Sequence, residues 1–170
     1  MGATVLVVSL GRLLADHVRL EPSEACAVLV RLWEHLAPSG HRDDVLPSIP
    51  SLDAVGITAF GDLEVRGQVA VAHPGRKPDE MARDLALVFR RLLASGRDTL
   101  AALPAQMLAV CRPSAEPHQT QVPTSPVVLL EALAPYTPPD PSDALAMLFA
   151  RWMRATDSGA IRGATGRSDA

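Results

Sequence analysis

The stretch Pro22–Leu36, PSEACAVLVRLWEHL, constrains the fold more than any other part of the chain. Large apolar residues recur in it every three or four positions, the spacing that places them on one face of an α-helix. They are Ala25, Val28, Leu29, Leu32, Trp33 and Leu36. Further apolar residues widen this face past half the circumference and leave few solvent-facing positions, namely Glu24, Arg31, Glu34 and His35. A helix this apolar is covered on several sides, so we predict a central core helix.

The composition predicts one globular domain and argues against two classes of partner. The chain has 170 residues, of which 48% are hydrophobic and 21% are charged, and this is enough for a single core. Nucleic acids and anionic membrane surfaces both select basic proteins, whereas the formal net charge here is −3. No apolar run reaches the roughly 18 residues of a transmembrane helix, and no signal peptide is recognisable. We therefore expect no nucleic-acid partner and no membrane partner.

The two cysteines, Cys26 and Cys111, both lie in apolar helical stretches. We interpret them as buried thiols, with a disulfide between them as the alternative. Buried thiols favour a reducing compartment, and we therefore expect the protein to be cytoplasmic.

The other local signals predict a mainly α (α+β) fold over residues 1–155, with one small β-hairpin. Thr4–Val8 is short and β-branched, which is typical of a strand. The segments Ala54–Thr58 and Leu63–Arg66 flank Phe60-Gly61-Asp62, where glycine permits the positive φ of a tight turn. The further predicted helices are Leu10–His17, Asp79–Ala94, Thr99–Leu103, Ala105–Cys111, Val127–Leu133 and a last helix that Ser142 caps and that ends near Met153.

Proline-rich and polar stretches predict the connections. Gly40–Leu52 contains two prolines and is predicted to be a loop, and His73–Pro78 is predicted to be a turn. Gln68–Ala72 is predicted to be a further strand. The last fifteen residues, Thr156–Ala170, contain a single isoleucine among small and charged residues, so we expect a disordered tail from residue 156 to residue 170.

This order of elements resembles the C-terminal lobe of the eukaryotic-type protein kinase fold. SLGRLLADHVRLEPSEACAVLVRLWEHLA is similar to the short helix and the long central helix that follow the kinase hinge. LDAVGITAFGDLEVRG is similar to the small hairpin after the catalytic loop, and DEMARDLALVFRRLLASG to the helix in the middle of the lobe. The resemblance extends from about Thr4 to Met153, mostly over packing positions.

The residues that would make a kinase catalytic are missing from this pattern. His41-Arg42-Asp43 spells the start of a catalytic loop, but Ser48 stands where a magnesium-binding asparagine belongs. Arg66-Gly67-Gln68 replaces the metal-binding motif after the hairpin, and no glycine-rich loop or strand lysine is recognisable. The resemblance therefore implies a non-catalytic relative, either a truncated pseudokinase or the KIND domain, a kinase-lobe-like module that binds other proteins. It also implies that ATP–magnesium is not bound.

No other pattern in the sequence predicts a reaction, a cofactor or a metal. The five histidines show no pair four residues apart on a predicted helix, and no cysteine has a Cys-x-x-Cys partner. The carboxylate pair Asp79-Glu80 begins a predicted helix, where negative charge complements the helix dipole. We therefore predict no catalytic, cofactor-binding or metal-binding residues.

The sequence thus predicts a protein–protein interaction or scaffolding module in signalling, whose partner is another protein chain or a second copy of this one. An apolar strand near the chain start needs cover, either by pairing with Gln68–Ala72 inside the domain or by a partner. The second possibility predicts an interface built from that strand and the hairpin, formed by Val5, Leu6, Val7, Val55, Ile57, Leu63 and Val65. The alternative function is a small helical enzyme or a regulator that binds a small molecule in an unrelated fold.

Overall fold

The computed structural model describes residues 6–37, 45–67, 73–74, 76–94, 103–111 and 123–157. In these residues helices dominate and the strands are short, so the predicted fold class, a mainly α domain with a small hairpin, is confirmed. In chain order the elements are β1 (Val7–Ser9), α1 (Leu10–Ala15), α2 (Pro22–Leu36), β2 (Val45–Leu46), β3 (Val55–Thr58), β4 (Leu63–Val65), β5 (His73–Pro74), α3 (Pro78–Leu93), α4 (Ala105–Cys111), α5 (Pro126–Leu133), a 3-10 helix (Ala134–Tyr136) and α6 (Pro141–Asp157).

The central helix α2 begins and ends where the sequence predicts. Pro22 occupies its first turn, and the Glu24 carboxylate accepts a hydrogen bond of 2.8 Å from the backbone N–H of Glu21. The apolar stripe is buried except for Trp33, which is partly buried, and Leu29 and Leu32 are fully inaccessible to solvent. Helices α3, α5 and α6 pack around α2, together with strand β4. The core of the domain therefore surrounds this helix on several sides.

Helix α1 is shorter than predicted, because His17 ends it. His17 has a φ of +56°. Many helices end at a residue in this left-handed conformation, and that residue is usually glycine. The backbone N–H groups of His17 and Val18 donate to the carbonyls of Leu14 and Leu13 at 3.1 and 3.0 Å. These are the two bonds of a Schellman motif, and they turn the chain towards α2.

The larger sheet has the strand order β1–β3–β4, and both pairings are antiparallel. Val7 pairs with Thr58 across β1 and β3, while Ile57 pairs with Leu63 across the hairpin. The N-terminal strand therefore adds to the hairpin, and it runs to Ser9 where the sequence predicts an end at Val8. Thr4 and Val5 lie outside the described residues, and so does the strand predicted over residues 68–72.

A second pair of short strands lies where the sequence predicts only a loop and a turn. Val45–Leu46 pairs antiparallel with His73–Pro74. Arg76 fastens this pair to the body, since its guanidinium donates to the Pro47 carbonyl at 2.8 Å and forms an ion pair with Asp84 on α3. Two-residue strands contain too little alternation to be recognised from sequence, which accounts for the error.

The last helix begins at Pro141 and is capped by Asp140, which corrects the prediction that Ser142 is the cap. One Asp140 carboxylate oxygen accepts from the backbone N–H groups of Ser142 and Asp143, at 2.9 and 3.2 Å. Proline at the first helical position and aspartate before it form the usual start of a helix. The helix extends to Asp157, two residues into the predicted tail. The rest of that tail lies outside the described residues, and so does most of the helix predicted over residues 99–103.

Candidate interaction surface

The turn of the β3–β4 hairpin is held by Thr58. Its hydroxyl oxygen accepts hydrogen bonds from the backbone N–H groups of Phe60 and Asp62, at 3.2 and 3.1 Å. Its own backbone N–H donates to the Asp62 carbonyl at 3.0 Å, and Gly61 takes the predicted left-handed conformation with a φ of +80°. This network fixes a turn that leaves the Phe60 side chain 72% exposed. An aromatic ring so exposed on an ordered turn is a feature of binding surfaces.

Gly61 packs the turn directly against the first turns of α6. A Cβ atom at Gly61 would overlap the carbonyl oxygen of Ser142 and would lie 3.0 Å from the backbone nitrogen of Ala146. Ser142 and Ala146 are four residues apart and therefore share one stripe of α6, the stripe that faces the hairpin. The neighbouring stripe contains Asp143 and Met147, both exposed, with Met147 64% accessible.

Strand β1 brings a further exposed apolar residue to the same end of the sheet. Because Val7 pairs with Thr58, Leu6 comes next to the start of the hairpin turn, and its side chain is 51% exposed. We call the hairpin-tip surface the set of exposed residues around Gly61, namely Leu6, Phe60, Asp62, Asp143 and Met147.

The structure divides the residues of the predicted interface between the core and the surface. Val55 and Ile57 are fully buried, because their face of β3 packs on the core. Leu63 and Val65 share that face on β4 and are partly buried against the same core. The other outcomes concern the N-terminal strand: Leu6 is exposed, Val7 is half-buried and leans over Gly56, and Val5 lies outside the described residues.

The sequence does not predict the hairpin tip as part of an interaction surface. Phe60, Asp62, Asp143 and Met147 do not appear in the predicted interface. Phe60 and Asp62 were recognised only as turn residues, and an aromatic residue within a predicted tight turn is the signal that could have marked the tip. No local signal in the sequence brings the start of α6 to this turn.

Glu24 lies in a buried ion pair, whereas the sequence predicts that it faces solvent. Its side chain is 8% exposed, and its carboxylate accepts a 2.7 Å hydrogen bond from the guanidinium of Arg151 on α6. The same Arg151 nitrogen donates to the backbone carbonyl of Arg19 at 2.6 Å. This arginine thereby joins the end of α6 to the start of α2. Helical periodicity places Glu24 beside the apolar stripe but does not reveal a cation from a distant helix.

Replacing Arg151 with methionine is expected to lower the free energy of unfolding by about 1–3 kcal/mol, because Glu24 would keep a buried charge with fewer partners. Chemical denaturation measures the loss. The matched control is Arg83→Met, since Arg83 forms an exposed ion pair with Asp79 and should cost less than about 1 kcal/mol. Adding Glu24→Gln to Arg151→Met should cost less than the two single losses together. Additive losses would show that the ion pair contributes no coupling.

A second buried carboxylate, Asp16, joins α1 to the same part of α6. One of its oxygens accepts from the Arg12 guanidinium at 2.8 Å and from the indole N–H of Trp152 at 3.0 Å. Trp152 also stacks obliquely on Phe149, with ring centroids 5.6 Å apart. Asp16 and Glu24 thus each hold neighbouring segments together, which is a structural use of a buried charge.

The described part of the chain contains no group of three or more histidine, cysteine or carboxylate side chains that could hold a metal ion. Among the same residues, no helix combines the length and the apolar character needed to cross a bilayer. The residues that sequence analysis considered for a relic of a catalytic loop, 41–43, lie outside the described ranges, whereas Ser48 and Arg66 lie within them. Cys26 is fully buried in α2, as predicted.

No protein-family model matches the chain, and no curated protein matches it.

Proposed function

We propose that this chain is a protein–protein interaction or scaffolding module of a cytoplasmic signalling system, and that it has no catalytic activity of its own. The observation that carries the proposal is the hairpin-tip surface, where Leu6, Phe60 and Met147 expose large apolar side chains around an ordered turn. Exposed apolar groups on rigid elements cost solubility, and they mark sites of association more often than sites of chemistry. The two buried carboxylates support the same proposal over an enzyme, because both fasten helices.

The order of the elements supports the narrower proposal of a kinase-lobe-like module. A strand is followed by a short helix, a long central helix, a short strand, a hairpin, a strand that pairs back and a further series of helices. Ser48 stands where the resemblance predicts a magnesium-binding asparagine, and Arg66-Gly67-Gln68 stands in the region of the metal-binding aspartate, so neither side chain is supplied there.

The Leu6→Glu variant is expected to stay folded and to lose association with protein partners. Leu6 is half-exposed, so the core tolerates a carboxylate there, but the surface loses an apolar contact and a partner's apolar side chain would be buried against a charge. Affinity capture from the cells that make the protein, followed by mass spectrometry, measures association with other chains. Light scattering measures self-association, and circular dichroism checks the fold.

The matched control is Leu87→Glu, because Leu87 is similarly exposed, at 57%, but lies on α3. The proposal predicts that this variant keeps every partner of the parent chain. If Leu6→Glu remains folded and keeps all associations, the surface is not the interface. If both variants lose the same partners, charge and not position is responsible.

A further inference from the structure

Among the described residues, the exposed charges beside the apolar residues of the hairpin-tip surface all have the same sign. Asp62 lies in the turn itself and Asp143 lies one turn before Met147 on α6, and both side chains are exposed. Glu64 and Asp140 add two more exposed carboxylates from the flanking segments. Within the described residues, neither Asp62 nor Asp143 forms an ion pair.

A cation does reach this end of α6, but it is already engaged. Arg31 extends from α2, and its guanidinium donates to the Ser142 hydroxyl and forms a 2.8 Å ion pair with Glu34. It therefore offsets Glu34, and no cation in the described ranges forms an ion pair with Asp62 or Asp143. The surface as a whole presents an apolar centre with an acidic border.

From this arrangement we infer that the hairpin-tip surface binds a basic, amphipathic segment of a different protein. The inference rests on the proposed function and specifies its partner. An apolar side chain of the segment would cover Phe60 and Met147, while lysine or arginine side chains would face Asp62 and Asp143. Burial of the apolar group supplies most of the affinity, and the charges supply orientation and selectivity.

Charge disfavours the other occupants of such a surface. A second copy in a symmetric dimer would bring the same carboxylates against each other, and like charges in contact cost several kcal/mol. An anionic membrane or a nucleic acid would be repelled by the same carboxylates. A neutral apolar partner would cover Phe60 but leave the acidic border facing apolar surface, where removing charges from water is unfavourable.

The test uses the full-length chain and three synthetic peptides of equal length. The first peptide, the leucine–lysine peptide, has leucine on one face and lysine on the opposite face. The second peptide has glycine in place of every leucine, and the third has glutamate in place of every lysine. Fluorescence anisotropy gives the dissociation constants. We expect only the leucine–lysine peptide to bind in the micromolar range, and we expect this binding to weaken as the salt concentration rises.

Variants of the protein locate the binding. Phe60→Ala should weaken the binding of the leucine–lysine peptide about tenfold or more, the effect of losing an aromatic anchor. Asp62→Asn and Asp143→Asn should each weaken it about two- to fivefold, the effect of one partly exposed ion pair. The matched controls are Leu87→Ala and Glu131→Gln, which remove an exposed leucine and an exposed carboxylate elsewhere on the chain. Both controls should bind the peptide as the parent chain does.

Several results would overturn the inference. Equal weakening by Asp62→Asn and Glu131→Gln would show general attraction to an acidic protein. If the peptide with glycine in place of leucine binds as tightly as the leucine–lysine peptide, Phe60 does not contribute to binding. If the peptide with glutamate in place of lysine binds as tightly, the acidic border does not select a basic partner. A dimer abolished by Phe60→Ala would identify a second copy as the occupant.

The two proposals can fail separately. If Leu6→Glu abolishes partner capture but no peptide binds, the chain is an interaction module with a partner of different chemistry. If Leu6→Glu changes no association, the proposed function itself fails.

Discussion

Replacing Leu32 with alanine is expected to lower the free energy of unfolding by about 2–5 kcal/mol, a large part of the stability of a domain of this size. Leu32 lies in the middle of α2 and is fully buried. Helices α3, α5 and α6 all pack on α2, so no single neighbour can move into the space without leaving another helix. The substitution therefore leaves a cavity as well as losing the transfer free energy of the side chain. Chemical denaturation monitored by circular dichroism measures the change.

The matched control for Leu32→Ala is Leu87→Ala, the same substitution at an exposed position of α3. Alanine also has the higher helix propensity, so the control should change the free energy of unfolding by less than about 0.5 kcal/mol. Similar losses for the two variants would mean that α2 is not the centre of the core. A shift in the denaturant slope without a shift in midpoint would mean that the unfolded state had changed.

The helices of this domain were predictable because each carries its own signal. The bounds of α2 follow from a proline at the start, a wide apolar stripe and a proline after the end, all of which lie within seventeen residues. The start of α5 follows similarly from Ser125-Pro126, where the serine hydroxyl accepts from the backbone N–H of Val128. In both helices the local signals and the tertiary packing favour the same structure, so periodicity together with the terminal residues was sufficient.

The features that were missed depend on residues distant in the chain. The burial of Glu24 depends on Arg151, and the short strand at Val45–Leu46 depends on His73–Pro74. Val55 and Ile57, which the sequence predicts for an interface, are buried in the core that the helices form against one face of the hairpin. A four-residue strand does not reveal from its sequence which face is covered.

The hairpin-tip surface was unpredictable for the same reason. Phe60 and Gly61 were recognised as turn residues, and Asp143 and Met147 as positions on the last helix. Their proximity follows from Gly61, which allows the turn to approach the backbone of Ser142. A single glycine therefore determines whether the two halves of the surface meet, and it offers a direct test of the arrangement.

The Gly61→Ala variant is expected to lower the free energy of unfolding by about 2–5 kcal/mol, the sum of a left-handed backbone term and an overpacking term. Gly61 has a φ of +80°, and a methyl group there would overlap the carbonyl oxygen of Ser142. The obstacle is helix backbone and not the end of a flexible side chain, so either the turn or the start of α6 has to move. Denaturation measures the loss, and weaker binding of the leucine–lysine peptide would report the displacement of Phe60 from Met147.

The control for this variant is Gly67→Ala, which separates the backbone term from the packing term. Gly67 has a similar φ of +91°, but no described atom lies within 4 Å of the position its Cβ would take. Alanine at Gly67 should therefore cost only the left-handed conformation, about 1 kcal/mol, and should leave peptide binding unchanged. If Gly61→Ala costs no more than Gly67→Ala, the hairpin does not pack on α6 as described, and Phe60 and Met147 do not form one surface.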